Sequence, residues 1–188
     1  VTNVGSVFEG CASITKVTIP EGVVSVGSFD YCTSLTSIQI SNSVESLYGF
    51  DNCTSLTNIT IPNSVTSIYS MQNCTALTEV KLGNGITSIC DYMFRGCNSL
   101  KKVTIGNNVE EIGILAFENT AIEEFYSYSK EPPSIVIGEV RNYGGNWYDG
   151  TSFLDGIKEE AILYIPSRSS DKYQSSQWSE EFKNIREM

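Results

Sequence analysis

A chain of 188 residues fits one domain, or one elongated array with a cap, and its hydrophobic fraction of 40% is that of an ordinary folded protein. A formal charge of -10 speaks against a nucleic-acid backbone or an anionic membrane surface as the main partner, since both need a basic field. There is no histidine, the commonest general base and transition-metal ligand, and no apolar run approaches the ~20 residues needed to span a bilayer.

Val1 to Gly10 lacks the charged start and apolar stretch of a signal peptide. The chain opens without Met and part-way through a repeat, so it reads as a processed or trimmed fragment. The repeat announces itself through the cysteines. Cys11, Cys32, Cys53 and Cys74 follow one another at 21 residues, and Cys97 comes 23 later. Apolar residues follow each at fixed offsets: Leu35, Ile38 and Ile40 after Cys32; Leu56, Ile59 and Ile61 after Cys53; Leu77, Val80 and Leu82 after Cys74; Leu100, Val103 and Ile105 after Cys97. The first unit gives Ile14, Val17 and Ile19.

Within a unit, Val17-Thr18-Ile19 alternates apolar and polar, which predicts a strand with one face on a core. Pro20 and Pro62 end that strand, because proline cannot donate to a ladder. The step of three in Val23, Val26 and Phe29 predicts a tight 3₁₀-like or turn-rich return. The two extra residues in Ile89 to Phe94 and in Ile112 to Phe117 leave room for a single helical turn. In the next unit Ile122 and Phe125 keep the spacing and Asn119 takes the cysteine position, after which the repeats dissolve. One unit cannot bury its own apolar face. Stacked units can, with strands about 4.8 Å apart in a parallel sheet along one side.

Glu131 to Gly156 carries Pro132-Pro133, Gly144-Gly145, Tyr143, Trp147 and Tyr148, and predicts an irregular loop or insertion. Leu163-Tyr164-Ile165-Pro166 repeats Val17-Thr18-Ile19-Pro20 and predicts a last strand. Ser169 or Ser170 then caps a helix over Asp171 to Phe182, with Tyr173, Trp178, Phe182 and Ile185 on its inner stripe. The fold class expected is a strand-dominated α/β solenoid. It is a leucine-rich-repeat right-handed superhelix with a parallel sheet on one face, short 3₁₀ or turn-rich returns and a C-terminal strand-helix cap. Residues 1–128 form the array, and 129–188 the insertion and cap of the same domain.

Leu35-x-x-Ile38-x-Ile40-x-x-Ser43-Val44 is a relative of the general leucine-rich-repeat consensus. The motif Cys-x-x-Leu-x-x-Val/Ile-x-Ile-Pro, then a Ser-Val step, Ile/Val-Gly and Phe-x-x-Cys, resembles the BspA-like family of bacterial and protozoan surface proteins. Cys53 to Val65 and Phe94 to Val109 carry it best. The resemblance covers Val1 to about Tyr128, and Ala161 to Met188 resembles a closing segment of the family. Units of 21 residues are shorter than the family's usual repeat and imply a tighter return. The resemblance implies a secreted or surface-anchored protein used in adhesion; it does not fix a ligand.

Chemistry is sparse. Neighbouring rungs hold parallel Cβ atoms at about 4.8 Å, beyond the usual reach of a disulfide, and no Cys-x-x-Cys offers zinc ligands. The cysteines, Cys90 included, are expected to pack as buried free thiols. No Gly-x-Ser-x-Gly elbow is present, and a serine or cysteine triad cannot be built without histidine. Gly83-Asn84-Gly85 is a turn rather than a phosphate loop. Glu110-Glu111 and Glu123-Glu124 point to opposite faces of a strand, while Glu124 and Glu79 lie two rungs apart, so no glycosidase pair forms. The sequons at Asn52, Asn58 and Asn73 follow from the repeat itself. Neither catalysis, metal nor cofactor is expected.

The outward column of the sheet remains. It runs from Lys16, Thr18, Ser37, Gln39, Asn58 and Thr60 to Glu79, Lys81, Lys102, Thr104, Glu124 and Tyr126, with Tyr164 extending it. Solenoids bind through such extended faces. The binding face expected is Lys81, Lys102, Thr104, Glu124, Tyr126 and Tyr164, with Trp147 and Tyr148 beside it. The function expected is an extracellular protein-binding or adhesion module for a protein ligand such as a host extracellular protein, with neither nucleic acid nor membrane span involved. The alternatives are a glycan-binding accessory, resting on Trp147 and Tyr148, and an architectural spacer of a larger surface protein.

Overall fold

The computed structural model describes residues 3–5, 7–141, 147–150 and 157–188, of which 138–141 and 147–150 are described by backbone alone. Each repeat makes one rung. Front strands are β2 (Lys16–Ile19), β4 (Ser37–Ile40), β6 (Asn58–Ile61), β8 (Glu79–Leu82), β10 (Lys102–Ile105), β12 (Glu124–Ser127) and β16 (Ile162–Ile165). The return side carries β1 (Asn3–Val4), β3 (Ser25–Val26), β5 (Ser46–Gly49) and β7 (Ser67–Ser70) in one parallel sheet, and β9 (Ser88–Ile89), β11 (Glu111–Ile112) and β13 (Ser134–Ile135) in another. The return is thus more regular than its three-residue spacing suggests, because Ser46-Leu47-Tyr48 also alternates with period two.

A third side closes each rung with an aromatic or methionine residue, a left-handed residue and a cysteine. The amide of Phe29 donates to Gly49 O at 2.9 Å and that of Phe50 to Ser70 O at 3.0 Å, so this side is laddered as well. Like sits on like through the interior. Leu35, Leu56, Leu77 and Leu100 are fully buried, each contributing about 1.5–3 kcal/mol of transfer free energy. Phe8, Phe29 and Phe50 stack at 4.8 and 5.2 Å, and Phe94 on Phe117 at 5.2 Å.

The front sheet is in two parts, β2–β4 and a six-stranded part in which β17 (Asn184–Glu187) is followed by β16, β12, β10, β8 and β6. At the start of the seam Thr57 N–H reaches Thr36 O at 3.5 Å, against 2.8 Å for Thr78 N–H to Thr57 O one rung on. The other sides stay closed across the same rungs, through Ser46 paired with Ser67 and the Cys53 thiol on Phe29 O. The rungs therefore open slightly at the front between β4 and β6.

Several expectations need correction. The longer units contain no helical turn; they make turns in which Tyr92 (φ 58) and Leu115 (φ 51) take left-handed backbone. Thr120, not Asn119, holds the cysteine position. Asn119 (φ 57) is the left-handed residue that precedes it, as Asn73 (φ 57) precedes Cys74, and one residue is lost between Thr120 and β12. Cys90 is half-buried rather than core, since it lies on the outward side of the return strand after Ile89.

The segment 131–156 is not wholly irregular. It supplies β13 and an antiparallel pair, β14 (Gly138–Arg141) with β15 (Trp147–Gly150), while Tyr143 lies outside the described residues. The closing helix is two short ones, α1 (Ser170–Gln174) and α2 (Trp178–Glu181), and Ser169 precedes α1 without a side-chain cap. The chain then adds β17 (Asn184–Glu187), parallel to β16, so Ile185 belongs to a strand rather than to a helical stripe. Trp178, Tyr173 and Phe182 do fill the end of the core, with Trp178 edge-on to Phe125 at 5.3 Å. Charged Arg186 and Glu187 blunt β17 as an edge.

Candidate functional site

The pleat turns alternate residues of each front strand outward, and the parallel register stacks them in two columns. One column reads Asn58, Glu79, Lys102, Glu124, Ile162, Asn184; the other reads Thr60, Lys81, Thr104, Tyr126, Tyr164, Arg186. Six of the sequence-predicted residues are thereby brought onto one surface. Lys102 separates Glu79 from Glu124, as the two-rung spacing requires.

On this surface the side chains hold one another. The Tyr126 ring stacks on that of Tyr164 with centroids 4.4 Å apart and planes 7° from parallel. The ammonium of Lys102 lies 4.9 Å over the Tyr126 ring and 3.5 Å from Glu124 Oε2. The Tyr126 hydroxyl donates to the same Glu124 oxygen at 3.2 Å. Lys81 pairs with Glu79 on its own strand at 3.2 Å. Burial, then the Glu124 carboxylate, pushes the Tyr126 phenol up to about 12.

At the starting edge of the strands, Glu123 is held by Lys158 and by Lys101, the latter at 3.3 Å. These hydrogen bonds lower the Glu123 pKa, and its carboxylate raises that of Lys158. Exposed ion pairs contribute only ~0–1 kcal/mol each to stability. Their consequence here is order among the side chains of this end of the face.

The earlier rungs differ. Lys16, Thr18, Gln39, Asn58 and Thr60 are exposed, with a long contact from Thr18 Oγ1 to Gln39 Oε1 at 3.5 Å and a local hydrogen bond from Asn58 Nδ2 to Thr57 Oγ1 at 3.2 Å. Arg186 and Ile162 were missed from the sequence. Ile162 precedes the Leu163-Tyr164-Ile165-Pro166 strand motif and Arg186 follows the expected helix; the period-two pattern Asn184-Ile185-Arg186 is the signal that places Arg186. The side chains of Trp147 and Tyr148 lie outside the described residues, so that part of the predicted face is left as backbone in β15.

Among the described residues no three His, Cys, Asp or Glu side chains are grouped to hold a metal ion, and no helix is long and apolar enough to cross a membrane. The surface offers stacked rings, with ammonium groups and carboxylates paired with one another.

The family model of the BspA type leucine rich repeat region matches residues 24–131 in six copies. Curated protein sequences give no match. Among solved structures, the T. pallidum leucine rich repeat protein is similar at 25% identity, covering 63% of this chain and 70% of that one, with a TM-score of 0.47. A leucine rich cell surface protein of Faecalibacterium prausnitzii is similar at 21% identity over 99% of this chain and 63% of that one, TM-score 0.45. A leucine-rich repeat protein of Bacteroides ovatus is similar at 18% identity over 98% of this chain and 64% of that one, TM-score 0.35. The chain thus spans somewhat under two thirds of the second and third of these.

Proposed function

The chain belongs to the family of BspA-type leucine-rich-repeat proteins, and from that premise we propose that it is a non-catalytic, extracellular protein-binding module whose late front face docks a protein partner. Membership of a family of surface proteins supports the secreted or cell-surface location. The observation that carries the docking site is the Tyr126–Tyr164 stack, with the paired Lys102 ammonium and Glu124 carboxylate both set against Tyr126.

Tyrosine gives a binding surface a large rigid area with a polar tip, and ordered aromatic residues are enriched where binding energy concentrates. Lys81 and Arg186 bracket the stack along its column, and Thr104 leaves a shallow step between Lys81 and Tyr126. Lys81 and Lys102 are matched by Glu79 and Glu124, which leaves Arg186 to give this end of the face only a small net charge on an acidic molecule. A partner docking here needs complementary polar groups around an apolar centre, and no strong net charge.

The test is a binding screen against host and neighbouring-cell extracellular proteins, followed by affinity measurement for each hit with Tyr126→Ala and Lys102→Glu. The reading expects each substitution to weaken binding at least about tenfold, the loss of a central contact. Hits that bind both variants like the parent chain would refute the front-face site.

A further inference from the structure

The residue before each cysteine position takes left-handed backbone, and these residues form a column on the third side of the solenoid: Gly10 (φ 71) and Tyr31 (φ 61) in the first rungs, then Asn52 (φ 59), Asn73 (φ 57), Gly96 (φ 74) and Asn119 (φ 57). Asparagine is among the residues that tolerate this region. At Gly96 the column has no side chain. The gap opens a cleft lined by Asn73, Thr75, Gly96, Asn98, Asn119 and Thr120.

Two rung spacings separate the backbones of Asn73 and Asn119, about 9.6 Å at the usual strand distance. Gly96 is the floor. Asn73 Oδ1 leans over it, 2.5 Å from where a Cβ on residue 96 would stand. Asn98, with its amide oriented to donate to Gly96 O at 2.7 Å and to Asn119 O at 3.0 Å, braces the far side. The Thr120 hydroxyl is spent on Phe117 O at 2.9 Å. The side-chain amides of Asn73 and Asn119 and the hydroxyl of Thr75 have no hydrogen-bond partner among the described residues. Arg95 stands at the rim, its Nε on Glu118 at 2.5 Å and its guanidinium 5.4 Å over the Tyr92 ring.

The cleft therefore presents paired donors and acceptors on short, uncharged side chains, with one cation that is already neutralised. A phosphate or a carboxylate would need a free positive charge there. An apolar peptide side chain would need a greasy floor. A ligand made of adjacent hydroxyls, each both donor and acceptor, matches amides that are likewise both. We propose that the Gly96 cleft is a saccharide subsite taking one sugar ring through its hydroxyl groups. It lies off the front sheet and is independent of the protein-docking face.

The experiment is saturation-transfer NMR on the full chain with galactose, mannose, fucose and N-acetylglucosamine, each at millimolar concentration. Gly96→Asn completes the asparagine column and fills the cleft. Its backbone matches positions 52, 73 and 119, and the clash it meets is with the movable end of Asn73. The proposal expects transfer to at least one sugar in the parent chain and its loss by about tenfold or more in Gly96→Asn. Asn119→Ala, which removes an amide without filling space, should weaken the same signal several-fold, while Tyr126→Ala leaves it unchanged. Circular dichroism of each variant confirms the fold, and if Gly96→Asn does not fold, Asn119→Ala decides. No transfer to any sugar, or transfer indifferent to the cleft variants that fold, overturns the proposal.

Discussion

The Cys53 thiol donates to the Phe29 carbonyl at 3.2 Å, across the boundary between two rungs. The same carbonyl accepts the Cys32 N–H at 3.0 Å, so both its lone pairs are used. Cys32 reaches Phe8 O at 2.9 Å, Cys74 reaches Phe50 O at 3.1 Å and Cys97 reaches Met71 O at 3.2 Å. The recurring cysteine is thus a small apolar filler that also donates to a carbonyl of the rung before. Alanine would fill the space less well and donate nothing.

This column makes stability fall in alkali. Burial, then the neighbouring Cys32 thiol, pushes Cys53 up to about 12. Burial raises Cys32 and Cys90 as well, and Cys74 is raised first by the adjoining Cys97 thiol and then by burial. An unfolded thiol ionises near 8.5. The native state therefore keeps protons that the unfolded state releases. The stabilisation is fully present below the unfolded value and is lost as pH climbs toward 12 for Cys53, at ~1.4 kcal/mol per pH unit per thiol. Urea unfolding at pH 8 and pH 10.5 should show this decline, and Cys53→Ala should reduce the slope by about one proton's worth. A free energy of unfolding equal at the two pH values would refute the account.

Gly85 tests the close approach of the rungs. A Cβ there would stand 2.3 Å from Val65 O and 2.5 Å from Asn63 O, both backbone atoms of the preceding rung. Neither can swing aside as a side chain would. Gly85→Ala should therefore cost about 1–3 kcal/mol, the range for overpacking a fixed interior, and thermal unfolding measures it. A melting temperature equal to that of the parent would mean that the corner is looser than its geometry.

The array was legible in the sequence because its period is covalent. A 21-residue step puts Leu35, Leu56 and Leu77 over one another whatever the exact backbone, and the outward pairs follow from the pleat. What stayed hidden was set by a register that spacing alone does not fix. Thr120 occupies the cysteine place only because one residue is missing before Glu124. Gly96 reads as an ordinary turn glycine until its neighbours in the column are seen to be asparagines. The Tyr126–Tyr164 pairing follows from the column, yet the 37 residues between them conceal how directly β16 lies against β12. In the cap, the apolar spacing of Tyr173, Trp178, Phe182 and Ile185 suits one helix, but Phe182 leaves the helical region (φ -111, ψ 117) and Ile185 continues into β17.

Reversing a charge on the front face separates binding from folding. Lys102→Glu removes the cation over Tyr126 and sets a second carboxylate beside Glu124. Lys102 is part-exposed, so stability should fall by no more than about 1 kcal/mol. Chemical denaturation would register that small change. Affinity for a front-face partner should drop far more, since the ring pair loses its cation and the local charge balance. A large stability loss would instead assign Lys102 a structural role.

The cap supplies a local prediction. The Tyr173 hydroxyl is buried, 2.6 Å from Ser127 Oγ, and donates to Ser129 O at 2.9 Å. With its proton committed to Ser129, it accepts that of Ser127. Tyr173→Phe removes a single oxygen and leaves both partners without this bond in a closed interior, a cost of about 1–3 kcal/mol. Tyr173→Phe with Ser127→Ala should cost less than the sum of the two single changes, because the polar pair then disappears together. Rungs of a solenoid feel mainly their neighbours, so the loss should concentrate at one end. Hydrogen exchange should quicken at the β16 and β17 amides and stay unchanged at β6 and β8. Equal acceleration along the whole array would mean that the cap and the repeats unfold as one unit.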